Sequence, residues 1–369
     1  MSKWLDDVRC VVEINSYTQN KSGVDRVGKV FEKWLEELGF ETIRYKRELI
    51  GDHLYFKSVS TSNRKKILLL GHLDTVFPEG VFESFSEDDE WIYGPGVCDM
   101  KGGNVVAVEA LRKIYKEFGK IEDIDLFFVS DEETGSDDSR SLTSQLAKNY
   151  DYCFVFEAAG ADMEIVTGRK GIGTFEIHIE GKASHAGTSY TKGIDANLEA
   201  SHKLINLVSL TNLNRGSTVN VGKISGGIGA NTISPKANLL LELRYADYEE
   251  KERLLSALDI ITSTSYVNGT KSRLTGSIQR DVMEPNSKQR ELIEAMQKIA
   301  DTELKTEQRG GVSDANIVAG VGVTTLDGLG PYGDGDPTPK ERALKSSFVS
   351  RIDLMSRVLR VHQIKGDII

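Results

Sequence analysis

Histidine, aspartate and glutamate stand in this chain just past the ends of apolar runs, in a pattern suited to holding a divalent metal ion. The run at 67–70 closes with Gly71, His72, Leu73 and Asp74. Residues two apart in a strand share a face, so His72 and Asp74 project together where the strand ends. A neutral imidazole is a metal ligand, and a neighbouring carboxylate fixes its tautomer. Taken alone, the pair is equally well a solvated strand end. Three later stretches add to it. WIYGPGVCDMKGGN (91–104) is a glycine-rich turn carrying Asp99 ahead of a helix. IDLFFVSDEETGS (124–136) ends an apolar strand in Asp131, Glu132 and Glu133, and DYCFVFEA (151–158) ends another in Glu157. Open α/β sheets place their sites at the carboxyl ends of strands. Several strand ends carrying acid or imidazole make a cluster of metal-ligand types.

GHLDTV, GPGVCDMKGG, SDEETGS and FEA occur here in that order and spacing, followed by GKASHAG, SGGIGANTISP, GGVSDAN and DGLGPYGDGD. The ordered set covers nearly the whole chain and resembles the M20 family of zinc-dependent peptidases and deacylases, closest to its glutamate carboxypeptidase and carboxypeptidase G2 branch. The resemblance implies that His72, Asp99, Glu133 and Glu157 are metal ligands. In it Asp99 bridges two positions, His72 and Glu157 complete one, and Glu133 serves the other. It implies that Asp74 orients His72, and that Glu132 is the general base for a water whose pKa zinc lowers from about 15.7 to about 7. Adjacent acids in an extended segment point apart, which lets Glu133 hold metal while Glu132 faces substrate. Asp131 reads as structural. By the same resemblance His185 stabilises a tetrahedral oxyanion, and Asn231 and Arg244 grip a substrate carboxylate, a task suited to the planar guanidinium. Residues 310–316 are expected to line the substrate cleft. His53, His178, His202 and His362 match nothing and read as structural.

One departure stands out. The family's last protein ligand is a histidine in a G-x-H-[ST]-x-x-E context. Here the segment runs Gly335, Asp336, Pro337, Thr338, Pro339, Lys340, Glu341, so Pro337, which has no side-chain donor, takes the histidine's place. Asp336 or Asp334 are the candidate replacements. A harder oxygen set admits Mn²⁺ or Co²⁺ alongside Zn²⁺, and the chain accordingly holds one or two metal ions. The expected activity is a carboxypeptidase cleaving the amide bond before a carboxylate-bearing residue of short peptides or N-acyl amino acids. The alternatives are a deacylase of the acetylornithine or succinyl-diaminopimelate kind, and a weakened relative that binds without cleaving. Other hydrolase signatures, HExxH and GxSxG, are missing. The GxGxxG at 328–333 contains Pro331 with no clear helix after it, and reads as a loop rather than a dinucleotide site.

These residues need a scaffold. The 369 residues suggest two domains, or one with a large insertion. Strand, helix and strand alternate to residue 170, predicting a mostly parallel sheet covered by helices. From Thr174 the pattern changes to clean alternation at Phe175, Ile177 and Ile179. Strands near 218–224, 236–244 and 272–280 and helices near 194–210 and 248–263 follow. That β-α-β-β-α-β order predicts a ferredoxin-like unit. The expectation is an α/β fold: a mostly parallel zinc-peptidase catalytic domain (1–170 and 285–369) with an inserted ferredoxin-like α+β domain (171–284), which the resemblance makes a lid and a homodimer contact. The helical spacings around Trp4 and Trp34 read as core stripes. A net charge of −10 without a basic cluster argues against nucleic acid. No apolar run approaches the roughly 18 residues of a membrane span. Cys10, Cys98 and Cys153 are scattered, and MSKWLDDVRC does not have the layout of a signal peptide, so the expected location is the cytoplasm.

Overall fold

Strands that are apolar on both faces require cover on both, and the runs at 67–72, 124–129 and 152–155 form neighbouring parallel strands of one six-stranded sheet. This computed structural model describes residues 3–61 and 63–369. Ile67–His72 lies inside the sheet with every residue buried. Ile124–Val129 and Tyr152–Val155 flank it in parallel, and Thr324–Leu326 lies parallel beyond the latter. His53–Lys57 and Glu41–Tyr45 extend the opposite edge in antiparallel pairing. In the ladder His72 is level with Val129 and Leu70 with Val155. The segments carrying Asp74, Glu132, Glu133 and Glu157 therefore leave the sheet along one edge.

Helix Lys101–Phe118 is buried along its first two turns. Glycine is needed there because a Cβ at Gly102 would lie 2.0 Å from the Val97 carbonyl oxygen, and one at Gly103 1.9 Å from that of Phe156. The helix start is thus pressed onto the end of the Tyr152–Val155 strand, which sets the Asp99 loop beside Glu157. Helix Lys345–Lys365 adds Phe348, on which Trp4 stacks at 4.6 Å between ring centroids. Phe31 and Trp34 pack edge to face at 5.3 Å. A small four-stranded antiparallel sheet of Ser86–Glu87, Trp91–Tyr93, Arg342–Leu344 and Gly333–Asp334 was not foreseen, because its strands are two or three residues long.

The chain divides into two units. The first runs to Gly168 and resumes at Pro285–Arg309 and Ser313–Ile369; the second is Arg169–Glu284 with Gly310–Val312. The sequence reading kept 310–312 with the rest of 285–369, since nothing in GGV distinguishes it from an ordinary loop. In the second unit the strand order is Thr218–Gly226, Lys236–Tyr245, Gly171–Glu180, Lys271–Arg280, all antiparallel. Helices Ala196–Val208 and Tyr248–Ser263 complete the β-α-β-β-α-β order. Asp195 and Asp247 cap them, each accepting backbone N–H bonds from the first turn. Phe175, Ile177 and Ile179 all face the unit's core, as their alternation requires.

Candidate metal centre

His72 is 1% exposed at the end of the central strand. Its Nδ1 lies 3.0 Å from the Asp74 carbonyl oxygen and 3.4 Å from Asp74 Oδ1. With Nδ1–H donating toward Asp74, the Nε2 lone pair faces the other way, where Asp99 Oδ1 stands at 3.1 Å and Glu157 Oε1 at 3.8 Å. One donor atom from each of His72, Asp99 and Glu157 lies within 4.8 Å of the other two. Asp74 is wholly buried, and its Oδ2 accepts the Thr18 hydroxyl at 2.7 Å and the Glu133 N–H at 3.3 Å.

Imidazole nitrogen and two carboxylates converging in this way form a group that can hold a cation. Burial alone would lower the His72 pKa, but hydrogen bonds toward Asp74 and Asp99 and the Glu157 charge raise it well above the usual value. Burial and the Asp99 charge push Glu157 far above the ordinary carboxylate range. Among the described residues no hydrogen-bond donor reaches the Glu157 carboxyl except across the 3.8 Å gap to His72. Protons held this tightly by a cluster of nitrogen and oxygen donors are the ones a divalent ion displaces on binding. The donor set suits zinc or a neighbouring divalent metal.

Glu132 and Glu133 sit in a single 3₁₀ turn, Glu132–Thr134, rather than in the extended segment the sequence reading assumed. The Gly135 N–H closes the turn onto the Glu132 carbonyl at 2.9 Å. At three residues per turn, successive side chains are about 120° apart, so the two carboxyls still diverge. Burial and the Asp99 charge push the Glu133 carboxyl well up, with Glu132 and Asp74 adding to the effect. The Glu132 charge helps to raise both Glu133 and Glu157. Glu133 lies outside the 4.8 Å group. Asp131 braces the loop: its Oδ2 accepts the N–H groups of Asp138 and Ser139 at the start of helix Ser139–Ala147.

The sequence model for peptidase family M20/M25/M40 matches residues 68–361. The chain belongs to that family. Carboxypeptidase G2 of Pseudomonas sp. is 30% identical over 353 residues, 92% of this chain and 84% of that protein. Acetylornithine deacetylase of Edwardsiella ictaluri is 30% identical over 196 residues, 48% of this chain and 50% of that protein. In three dimensions the chain is similar to aminopeptidase PepT of Bacillus cereus, with a TM-score of 0.81 at 22% identity, covering 97% of this chain and 98% of that one. The M20 family metallo-carboxypeptidase of Sulfolobus solfataricus gives 0.73 at 15%, covering 99% and 100%. Both likenesses concern the fold. As a member of M20/M25/M40 the protein is a peptidase or amidohydrolase.

Several residues that build the centre of this M20/M25/M40 member carry no signal of their own in the sequence. Asn104 donates from Nδ2 to the His72 carbonyl at 2.7 Å, tying helix Lys101–Phe118 to the central strand. Thr18, far away in sequence, is found only through the fold. Lys101 is fully buried, its Nζ donating to the carbonyls of Val11 and Ile14 at 3.1 and 2.8 Å; burial lowers its pKa to about 7 against the Glu341 charge. Glu341, whose offset from Gly335 the sequence did show, is 1% exposed and accepts the N–H groups of Gly96, Cys98 and Asp99 at 2.9–3.1 Å. Burial and Asp99 raise its pKa to about 7 against those bonds. Glu341 therefore shapes the loop that presents Asp99.

The other expected site residues belong to the second unit. His185 is exposed, and its Nδ1 accepts the N–H groups of Gly187 and Thr188 at 3.1 and 3.2 Å. Asn231 is beside it: the Ala186 N–H donates to the Asn231 carbonyl at 2.8 Å, and His185 bridges Thr232. Arg244 is on strand Lys236–Tyr245, its Nε donating to Glu242 at 2.6 Å and its Nη1 to the Gly310 carbonyl at 3.0 Å. The remaining histidines have structural partners. His53 pairs with Asp138 and Ser130, His178 with Asn238 and Thr275, His362 with the Lys65 carbonyl, and His202 stacks on Tyr266.

Proposed function

We propose that this protein is a metal-dependent carboxypeptidase that hydrolyses the amide bond before a C-terminal, carboxylate-bearing residue in short peptides or N-acyl amino acids. The observation that carries the reading is the convergence of His72, Asp99 and Glu157, with Asp74 behind the imidazole. We assign these three as ligands of a divalent ion, zinc in the first instance, with Glu133 as ligand at an adjacent position sharing Asp99. When bound, such an ion supplies Lewis acidity, making water a stronger acid and a carbonyl more electrophilic. Glu132, diverging from Glu133, takes the proton of the attacking water and returns it to the departing amine. His185 has the right tautomer for an oxyanion donor: with Nδ1 accepting two backbone N–H bonds, the ring proton resides on Nε2. Asn231 and Arg244 are assigned to the substrate's terminal carboxylate.

The similarity to acetylornithine deacetylase supports a second reading, in which the same machinery removes an acyl group from an N-acyl amino acid. Relative kcat/KM on N-acyl amino acids and on dipeptides separates the two. Glu132→Gln is the test of the chemistry. It should lower kcat by about 10²- to 10⁴-fold with metal content unchanged; retained activity refutes the assignment. Absence of hydrolysis on either class with metal bound would favour a relative that binds without cleaving.

We further propose a homodimer formed through the second unit. Leu198, Ile205 and Val208 lie exposed along one stripe of helix Ala196–Val208, beside the open edge of strand Thr218–Gly226. A self-complementary patch of helix and strand edge suits two-fold pairing. Ile205→Glu should then give monomers in light scattering; an unaltered mass would reject this face. Among the described residues no helix is long and apolar enough to cross a membrane. Three unpaired thiols, Cys10, Cys98 and Cys153, support a reducing, cytoplasmic location.

A further inference from the structure

Residues 310–316 read from the sequence as lining of the substrate cleft, and for two of them the structure shows another task. Ser313 and Asp314 are buried, and each reaches a different arm of the candidate centre. Asp314 Oδ1 accepts the Ser136 hydroxyl at 2.5 Å, and Ser136 lies just past the turn Glu132–Thr134. The Ser313 hydroxyl donates to Asp327 Oδ2 at 2.7 Å. Asp327 follows strand Thr324–Leu326, whose Leu326 is level with Phe154 of the strand that delivers Glu157. Ser136 and Asp327 are wholly buried as well. Two neighbouring residues thus tie the Glu132–Glu133 turn and the Glu157 strand to a common point.

Ser136 is held in a conformation that needs a reason. Its φ is 56°, directly after Gly135 at φ 102°. Glycine takes such angles freely, whereas a residue with a Cβ is disfavoured there. Side-chain-bearing residues persist in that region where the surrounding structure holds them. The Ser136 N–H donates to the Asp131 carbonyl at 2.9 Å, and its own carbonyl accepts the Arg140 N–H at 2.9 Å. A glycine would make both of these bonds. The hydroxyl bond to Asp314 needs the serine side chain, and it leaves the loop for another element. The turn's other outside anchor, the Glu133 N–H on Asp74 Oδ2, is longer at 3.3 Å.

We propose that Ser136 and Asp314 are positioning residues, which act through the turn to fix the direction of the Glu132 carboxyl. The inference rests on the assignment of Glu132 as the proton-transfer group. A turn this short has few internal bonds, so its outside anchors decide where its side chains point. An error of about 1 Å in the placement of a reacting group costs up to about 10²-fold in rate.

The test has two arms, both on the full zinc-loaded chain. Hydrogen exchange reads the brace without reference to activity. The Gly135 and Ser136 amides should exchange about tenfold faster in Ser136→Ala, as expected for loss of one hydrogen bond to a charged group. In the kinetic arm, Ser136→Ala should lower kcat about 10- to 100-fold, with KM and bound zinc unchanged. Asp314→Asn should keep most of the rate, since a hydroxyl can donate to an amide oxygen or accept from an amide NH₂. Asp314→Ala should lose it, and adding Ser136→Ala to Asp314→Ala should cause no further loss. Wild-type exchange or wild-type kcat in Ser136→Ala overturns the assignment. So does an undiminished effect of Ser136→Ala in the Asp314→Ala background, or a fall in kcat that only tracks lost zinc. An inert wild type, or Glu132→Gln with undiminished kcat, overturns the proposed function instead, and the exchange arm then judges the brace by itself.

Discussion

Replacing Asp74 by asparagine isolates what a buried carboxylate does for His72. The side chain keeps its shape, so the fold persists, but only one of its two terminal atoms still accepts hydrogen bonds. The amide oxygen stays where Oδ2 receives the Thr18 hydroxyl at 2.7 Å and the Glu133 N–H at 3.3 Å, because an NH₂ there would oppose two donors. The NH₂ then occupies the Oδ1 position, 3.4 Å from His72 Nδ1. Two donors now face each other, and this favours the tautomer that carries its proton on Nε2, the nitrogen aimed at Asp99 and Glu157. The Asp74 carbonyl, 3.0 Å from Nδ1, is untouched by the change and limits the loss. Removing a carboxylate partner of a ligating histidine typically weakens metal binding about 10- to 100-fold, or about 1.4–2.7 kcal/mol at 1.36 kcal/mol per decade. Competition against a fluorescent chelator measures it directly. In the metal-free protein the His72 pKa should also fall in Asp74→Asn, since the carboxylate is one of the groups raising it. A folded Asp74→Asn protein with wild-type metal affinity would refute the argument.

The second unit offers two tests of stability. Lys203 and Glu199 form a pair 3.0 Å apart with both side chains fully buried, and Lys203 Nζ also donates to the carbonyls of Ile261, Thr262 and Thr264 at the end of helix Tyr248–Ser263. Lys203→Met strands the Glu199 charge and should cost about 3–5 kcal/mol in denaturant unfolding; a change under about 1 kcal/mol would show that the carboxylate simply takes up a proton. Glu250, with its side chain fully buried, is held below the usual carboxylate pKa by the Arg253 hydrogen bond first, against burial, and by Ser217 and Arg215. A depressed carboxyl pKa contributes stability that is fully present above the unfolded-state value of about 4.3 and is lost as pH falls through the folded value. Glu250→Gln should therefore be less stable than wild type at pH 7, with the gap closing below pH 4; parallel stability curves from pH 3 to 7 would contradict this.

The sequence showed most clearly what depends on periodicity. Continuous apolar runs at 67–70 and 152–155 could only be buried parallel strands, and the alternation of Phe175, Ile177 and Ile179 could only be a one-sided sheet. Acids and imidazole placed just past strand ends could be located for the same reason, since strand registry brings distant segments to one edge. Long-range side-chain to backbone contacts were invisible. Nothing local marks Thr18 as the partner of Asp74, Asn104 as the tie to the His72 carbonyl, or Lys101 as a buried cation capping Val11 and Ile14. The 3₁₀ turn at Glu132–Thr134 was missed because three residues are too few to show a period, though Gly135, at φ 102°, is the residue that ends it. The grouping of Gly310–Val312 with the second unit is likewise a tertiary fact, visible in the bonds from Arg244 to the Gly310 carbonyl and from Arg169 to the Gly311 carbonyl.

The most direct test is an anomalous-difference map from crystals of the protein grown with Zn²⁺ and measured on both sides of the zinc absorption edge. The account predicts a peak bonded to His72 Nε2 and to oxygens of Asp99 and Glu157 at about 2.0–2.2 Å, with Asp74 still against Nδ1. A peak ligated by other residues, or these three side chains turned away from one another around no ion at saturating zinc, would contradict it.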